Sequence, residues 1–239
     1  MPPLTGLKNL RSEPMDDTAV KTLSSSHRAM EELRQLIFSG ELAGGSNHLE
    51  SELALRLNMS RTPVREAALA LEAQGLLEMR PRKGVRILAI SPDDMREIYE
   101  VLTALESVAA SRAANAGYKE DELAGLARAI DDMDDALEKD DRRSWADADD
   151  RFHSELVRLG GNARIQNVVA MMADQVRRAR TMTLFMRDKP HKSNQDHRQV
   201  LDAIRDGQAD VAYRIHHAHR TQAQSTLLEL LDRHQLRSI

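Results

Sequence analysis

From Ser91 to Ile239 the sequence carries almost no strand signal, and this restricts what that stretch can fold into. Apolar residues recur there at helical spacing in six blocks, near 92–116, 119–139, 143–159, 162–184, 193–206 and 208–234. Gly117, Gly160-Gly161, Pro190 and Gly207 separate the blocks. Ser91-Pro92-Asp93-Asp94 opens the first: a capping hydroxyl, a proline where no N–H is needed, then two acids near the positive end of the helix dipole. Aromatic residues make up only 3% of the chain while Met and Ala are frequent, which favours helix over strand. Helices of this kind bury their apolar stripes against one another, so the expectation is one helical bundle with its own core.

Residues 25–90 follow a different rhythm. Met30, Leu33 and Ile37 mark a helix that Gly40 stops, and Ala43-Gly44-Gly45 reads as a loop. Glu50 to Leu57 is a short helix with Leu53 and Leu57 inward, Asn58-Met59 a turn, and Ser60 a cap. Arg61 to Gln74 is the third helix, with Val64, Ala68 and Leu71 on one face and Gly75 as its stop. Two short strands follow, Leu76–Met79 and Val85–Leu88, joined by the basic turn from Arg80 to Gly84. Three helices and a hairpin in this order predict a winged helix-turn-helix. The expected fold class is therefore mainly α, with a winged helix-turn-helix at 25–90 and an all-helical bundle of about six helices at 91–239. Residues 1–24, mixed in Pro, Gly, Ser and charge, read as a flexible arm.

Charge narrows the partners. The net charge of −4 hides an asymmetry: residues 1–90 carry 12 basic and 11 acidic side chains, the remainder 22 and 27. Only a contacting face needs to be basic for nucleic acid, so local clusters outweigh the total. The chain has no cysteine, which excludes disulfides and thiolate metal sites. No apolar run approaches the roughly 20 residues of a membrane span. The first residues lack the apolar core of a signal peptide. These features predict a cytoplasmic protein with no membrane partner.

The segment Ser60-Arg61-Thr62-Pro63-Val64-Arg65-Glu66 is the most informative in the chain. Arg61, Thr62 and Arg65 project from the start of the second helix of a tight pair, the end that enters a major groove. Arginine binds guanine O6 and N7 in a bidentate way, and a helix N-terminus also favours phosphate. In the wing, Arg80, Arg82, Lys83 and Arg86 occur without an acid among them, and Gly84 permits close backbone approach. Together these predict double-stranded operator DNA as partner, with Arg61, Thr62, Arg65, Arg80, Arg82, Lys83 and Gly84 as the contacting set. The run from Gly40 to Leu88 resembles the DNA-binding domain of the GntR family. It has the Gly-x-Leu-x-x-Gly loop, Glu-Leu-Ala, Ser-Arg-Thr-Pro-Val-Arg-Glu-Ala, Leu-Glu-x-x-Gly-Leu and a wing with glycine. It departs from that pattern at Ser51, where the family often places an arginine.

In the second half, polar residues interrupt apolar faces. Asp149 and His153 stand at i and i+4, on the face of Trp145, Phe152 and Leu156. His197 shares a face with Val200, Leu201 and Ile204, and His219 one with Ala212, Ile215 and Ala223. Buried polar groups need partners, and one carboxylate with three imidazoles could meet on a divalent cation: Zn first, with Ni, Mn or Fe as alternatives. His191, His216, His217 and the other acids of the run 147–150 read as surface features. The half resembles the FCD effector domain of the FadR subfamily, carried by Asp149, His153, His197 and His219. That resemblance implies a metal and, beside it, a carboxylate-bearing small-molecule effector. Many members have an arginine where Leu102 stands in Tyr99-Glu-Val-Leu102-Thr-Ala-Leu-Glu106, which implies an effector more apolar, larger or differently oriented than a simple hydroxy acid. Arg177, Arg178 and Arg180 are substitute cations, and periodicity does not decide between Arg178 and Arg180. With Leu102, Arg178 and Arg180 form the expected effector set.

No catalytic motif is present, so no enzyme activity is expected. The favoured reading is a homodimeric, ligand-responsive repressor of a catabolic operon on a pseudo-palindromic site. A metal-responsive regulator and a metal-dependent enzyme carrying a DNA-binding domain are the alternatives.

Overall fold

The computed structural model describes residues 24–234; the expected arm at 1–24 lies, but for Ser24, outside them. The first domain comprises α1 (Ser25–Phe38), β1 (Asn47–His48), α2 (Glu50–Arg56), α3 (Arg61–Ala73), β2 (Leu77–Arg80) and β3 (Gly84–Ile87). Leu33, Ile37, Leu53, Val64, Ala68 and Leu71 close into one core under the hairpin, each large apolar side chain contributing about 1.5–3 kcal/mol on burial. The antiparallel sheet has the order β1-β3-β2, with Asn47 opposite Arg86 and Arg80 opposite Gly84. The strand β1 was not expected: two residues, one of them exposed, carry no period to read. Its proximity explains Gly84. That residue has φ +83°, and a Cβ there would lie 2.2 Å from the carbonyl oxygen of His48. Ser60 stands at the N-cap of α3, but its side chain makes no capping bond. The third helical residue is Pro63, which has no N–H to offer.

The second domain comprises α4 (Pro92–Ala116), α5 (Ala124–Glu138), α6 (Arg142–Leu159), α7 (Ala163–Thr183), α8 (His191–Arg205) and α9 (Ala209–Arg233). Ser91 caps α4 by accepting from Asp94 N, and Gly117 ends it in the left-handed region. The helix expected from residue 119 begins at Ala124 instead. Lys119 to Leu123 form turns closed by their own backbone, with the Glu122 carboxylate accepting from Lys119 N. The helices α4 and α9 run along each other, α5 packs on α6, and α8 on α9. Two apolar clusters result. One holds Trp145, Phe152, Ile130, Met133, Val200 and Leu201. The other holds Met95, Tyr99, Leu102, Val169, Val176 and Leu231.

The domains are tied at α7. Arg34 on α1 donates to Asp174 at 2.8 Å and to Gln74 at 2.9 Å, and Arg178 donates to the carbonyl of Leu88. The Arg177 guanidinium lies 5.8 Å from the ring centre of Phe38.

Candidate functional site

On the first domain, Arg61, Thr62 and Arg65 are exposed at the start of α3, and Arg82 and Lys83 at the tip of the wing. Arg61, Arg65, Arg80, Arg82 and Gly84 line one groove of about 530 Å³ between the two elements, with Ser51 and Glu50 on its floor. Thr62 lies on the other side of the helix start, beside Asn58 and Arg28, and Lys83 stands beyond the groove's lining. Glu50 holds Arg65 at 3.5 Å and Glu78 holds Arg80 at 3.0 Å, both weak, solvent-accessible pairs that a phosphate can replace. The groove therefore joins a helix N-terminus to a basic hairpin, as expected of a nucleic-acid face.

On the second domain a polar cluster lies between the two apolar clusters. Asp149 and His153 come from α6, His197 from α8 and His219 from α9, and all four are buried. His197 Nε2 lies 3.2 Å from His219 Nε2 and 3.8 Å from Asp149 Oδ1, and His153 Nε2 lies 3.6 Å from Asp149 Oδ2. Atoms sharing one cation at about 2.0–2.2 Å lie roughly 3.3–3.6 Å apart in a tetrahedral shell. Asp149 Oδ1 is buried without a hydrogen bond. Three imidazole nitrogens close to one another, beside an Asp149 oxygen without a hydrogen bond, fit a divalent metal of nitrogen–oxygen preference.

Electrostatics keep the donors in their binding forms. Burial opposes ionisation of Asp149, but Arg180, which donates to Oδ2, overrides it and holds the carboxyl well below its usual range. Burial drives His153 and His197 well below the ordinary imidazole value, so both are neutral. Asp150, next along α6, moves the other way, to about 6, through burial and the charge of Asp149, with Arg180 and Arg177 opposing.

Four residues in and around the cluster were not anticipated: His216, Glu106, Arg220 and Asp196. His216, expected at the surface, is fully buried, with Nε2 at 3.4 Å from both His153 Nδ1 and Glu106 Oε2. It sits three residues before His219 on the same face of α9, a spacing that could have flagged it. His191 and His217 are exposed. Glu106 Oε2 lies 2.9 Å from His153 Nδ1, and Arg220 stands 3.4 Å from Glu106 Oε1. A metal-binding imidazole is commonly oriented by a carboxylate on its other nitrogen, and Glu106 occupies that place for His153. Asp196, 3.5 Å from His219 Nδ1, does so for His219.

The expected effector residues separate. Leu102 and Arg180 line one small cavity of about 170 Å³ with Glu106, His153 and Arg220. Arg180 is committed to Asp149 and Asp150. Arg178 is buried but faces the domain junction at Leu88, outside that cavity, which corrects its assignment beside the metal cluster. Arg177 pairs with Asp147 and Asp150.

Residues 25–87 match the model for bacterial regulatory proteins of the gntR family, and residues 97–222 match the FCD domain. The chain belongs to the GntR family. Among its relatives is an HTH-type transcriptional regulator in the TAR-I ttuE-ttuC' intergenic region of Agrobacterium vitis. It is 43% identical over 151 residues, covering 61% of this chain and 88% of the relative. A second, from Paenarthrobacter nicotinovorans, is described as "Probable D-xylose utilization operon transcriptional repressor" and is 33% identical over 178 residues, 74% of this chain and 76% of its own. The structure of E. coli McbR/YncC has the same fold, with a TM-score of 0.73 at 18% identity over 87% of this chain and 98% of that one. This GntR–FCD chain is thus a transcription regulator, of the class that binds operator DNA and small-molecule effectors, and not an enzyme. Among the described residues of the regulator, no helix is long and apolar enough to cross a membrane.

Proposed function

We propose that the chain is a ligand-responsive repressor of a catabolic operon, acting as a homodimer on a pseudo-palindromic operator. Arg61 and Arg65 read bases or phosphates from the start of α3, Thr62 takes a phosphate, and Arg80, Arg82 and Lys83 bind backbone from the wing, with Gly84 shaping it. Asp149, His153, His197 and His219 hold one divalent cation, zinc before nickel, manganese or iron. A metal there supplies a fixed positive centre for an anionic effector and braces α6, α8 and α9 together. Glu106 and Asp196 orient two of the imidazoles, and Arg180 keeps Asp149 ionised. A carboxylate-bearing metabolite beside this centre is the signal.

The observation that carries this reading is the mutual approach of nitrogens of His153, His197 and His219 beside an Asp149 oxygen that has no hydrogen bond. The repressor names of sugar-utilisation relatives support the direction of control. The test is an operator titration with metal-loaded protein, with and without a carboxylate that raises its melting temperature. Release of DNA by that carboxylate supports the reading, and unchanged affinity contradicts it.

A second reading makes the cation itself the signal. It is favoured by the burial of the cluster and the additional donors Glu106 and His216. Operator affinity that follows chelation at constant carboxylate concentration would distinguish it.

A further inference from the structure

The cluster is flanked by a second, larger cavity that none of the expected effector residues lines. It measures about 600 Å³, within the common range for small-molecule sites, whereas the cavity at Leu102 measures about 170 Å³. His219 and Asp196 form its inner wall, so it reaches the metal-binding set. Ser193, Gln222 and Thr226 add hydroxyl and amide groups, and Ala223 and Leu230 add apolar surface.

Arg187, between α7 and α8, lines the same cavity. Its Nε and Nη2 are buried and make no hydrogen bond, and among the described residues no carboxylate forms an ion pair with it. The guanidinium lies over the face of Trp145, 5.5 Å from the ring centre. Of the acids lining the cavity, Asp196 is held by Lys192 and His219 and Glu229 by Ser225, while Asp188 is exposed to solvent. The other cations near the cluster are occupied too, Arg180 and Arg177 by Asp149, Asp150 and Asp147, and Arg220 by Glu106. A largely buried cation without an ion-pair partner is costly to keep, and a cavity beside it is where a counter-charge can enter. Burial, with Arg180 adding to it and Asp149 only partly offsetting it, pushes Arg187 down to about 10, consistent with that cost.

We propose that Arg187 is the anion anchor of the effector site: a hydroxylated monocarboxylate binds in this cavity, its carboxylate on the Arg187 guanidinium and its hydroxyl end toward His219, Ser193, Gln222 and Thr226. Among the described cations lining the cavity, Arg187 alone has buried guanidinium nitrogens without a hydrogen bond, Arg233 being exposed, and its planar fork matches one carboxylate. The inference rests on the ligand-responsive reading above and names the charge that recognises the ligand. It also moves the substitute for a cation at Leu102 away from Arg177, Arg178 and Arg180.

The chain has one tryptophan, Trp145, in contact with Arg187, so its fluorescence reports on the site directly. Metal-loaded native protein and Arg187→Met are titrated with sodium acetate and sodium D-gluconate at constant ionic strength, with D-glucose as the uncharged comparator. Fluorescence and melting temperature are read in the same samples, with and without chelator. The native protein should show a saturable response to gluconate and a weaker one to acetate, with none to glucose. In Arg187→Met the carboxylate response should weaken at least tenfold, while the chelator-dependent change in melting is retained. Without carboxylate, the variant should melt at or above the native temperature, because it removes an unpaired buried charge. An equal carboxylate response in Arg187→Met, no response of the native protein to either carboxylate, or a variant that melts well below native would each overturn the proposal. Native melting that ignores chelator would instead count against the metal reading, leaving the carboxylate comparison to decide on Arg187.

Discussion

Arg34 on α1 and Asp174 on α7 form an ion pair at 2.8 Å, with both side chains mostly buried, and this pair bridges the DNA-reading domain to the helix that carries Arg180. Arg34 also reaches Gln74 at the end of α3, so the recognition helix, α1 and α7 meet at one guanidinium. Six residues further along α7, fewer than two turns, Arg180 grips Asp149 in the polar cluster. Asp174→Asn keeps the shape and removes the charge. It should cost about 1–3 kcal/mol of stability, as for a hydrogen bond to a charged group. It should also bring the operator affinities of ligand-free and ligand-bound protein closer together. Calorimetric melting and anisotropy titrations read the two effects separately.

Arg61 and Arg65 are exposed over the groove between α3 and the wing. Replacing either with alanine should weaken operator binding by about 1–3 kcal/mol where it reads a base, with no loss of folding. Operator affinity left unchanged in both variants would remove them from the interface.

For the wing, neutralising Arg82 or Lys83 should lower the slope of log affinity against log salt by about one unit and alter sequence preference little. Gly84→Ala should act differently. With φ at +83° and the His48 carbonyl where the Cβ would go, it should destabilise the domain by at least about 1–2 kcal/mol and displace β1. Its melting curve and its operator affinity should therefore both shift, unlike those of Lys83→Ala.

Much of this arrangement is legible in the sequence where local chemistry and tertiary packing agree. Ser91-Pro92-Asp93-Asp94 caps α4 as its residue types require, and Gly75 follows α3 in the left-handed region that ends a helix. Asp149 and His153 face inward because Trp145, Phe152 and Leu156 on their face are fully buried. What escaped depends on distant partners. β1 exists because Asn47 and His48 meet β3, not through any pattern of their own. Arg178 and Arg180 stand on nearly opposite sides of α7 and both are buried, and only the placement of Leu88 and Asp149 around that helix separates their roles. His216 looked like surface beside the exposed His217, yet Glu106, from the opposite α4, draws it into the cluster.

Acid should destabilise the second domain. Burial lowers His153, His197 and His216 well below the usual 6.5, so the unfolded chain binds more protons than the folded one once pH falls below that value. The stability associated with the neutral rings is fully present above about 6.5 and is lost progressively below it. Metal binding has the same sign, since protons compete for the same nitrogens. Melting temperatures measured from pH 8 to pH 5 should fall along this range, and less so in His216→Gln than in the native protein.

The central claim is that Asp149, His153, His197 and His219 hold a divalent cation, and metal content measured together with melting tests it most directly. A cation bound only by the folded state stabilises it by mass action. Native protein should carry about one equivalent of metal, predominantly zinc, and should melt lower after chelation and recover on adding zinc. His197→Ala and His219→Ala should lack the metal and no longer respond to chelator. Native protein that is free of metal and melts unchanged with added zinc or nickel would contradict the account, and so would both variants retaining the full equivalent.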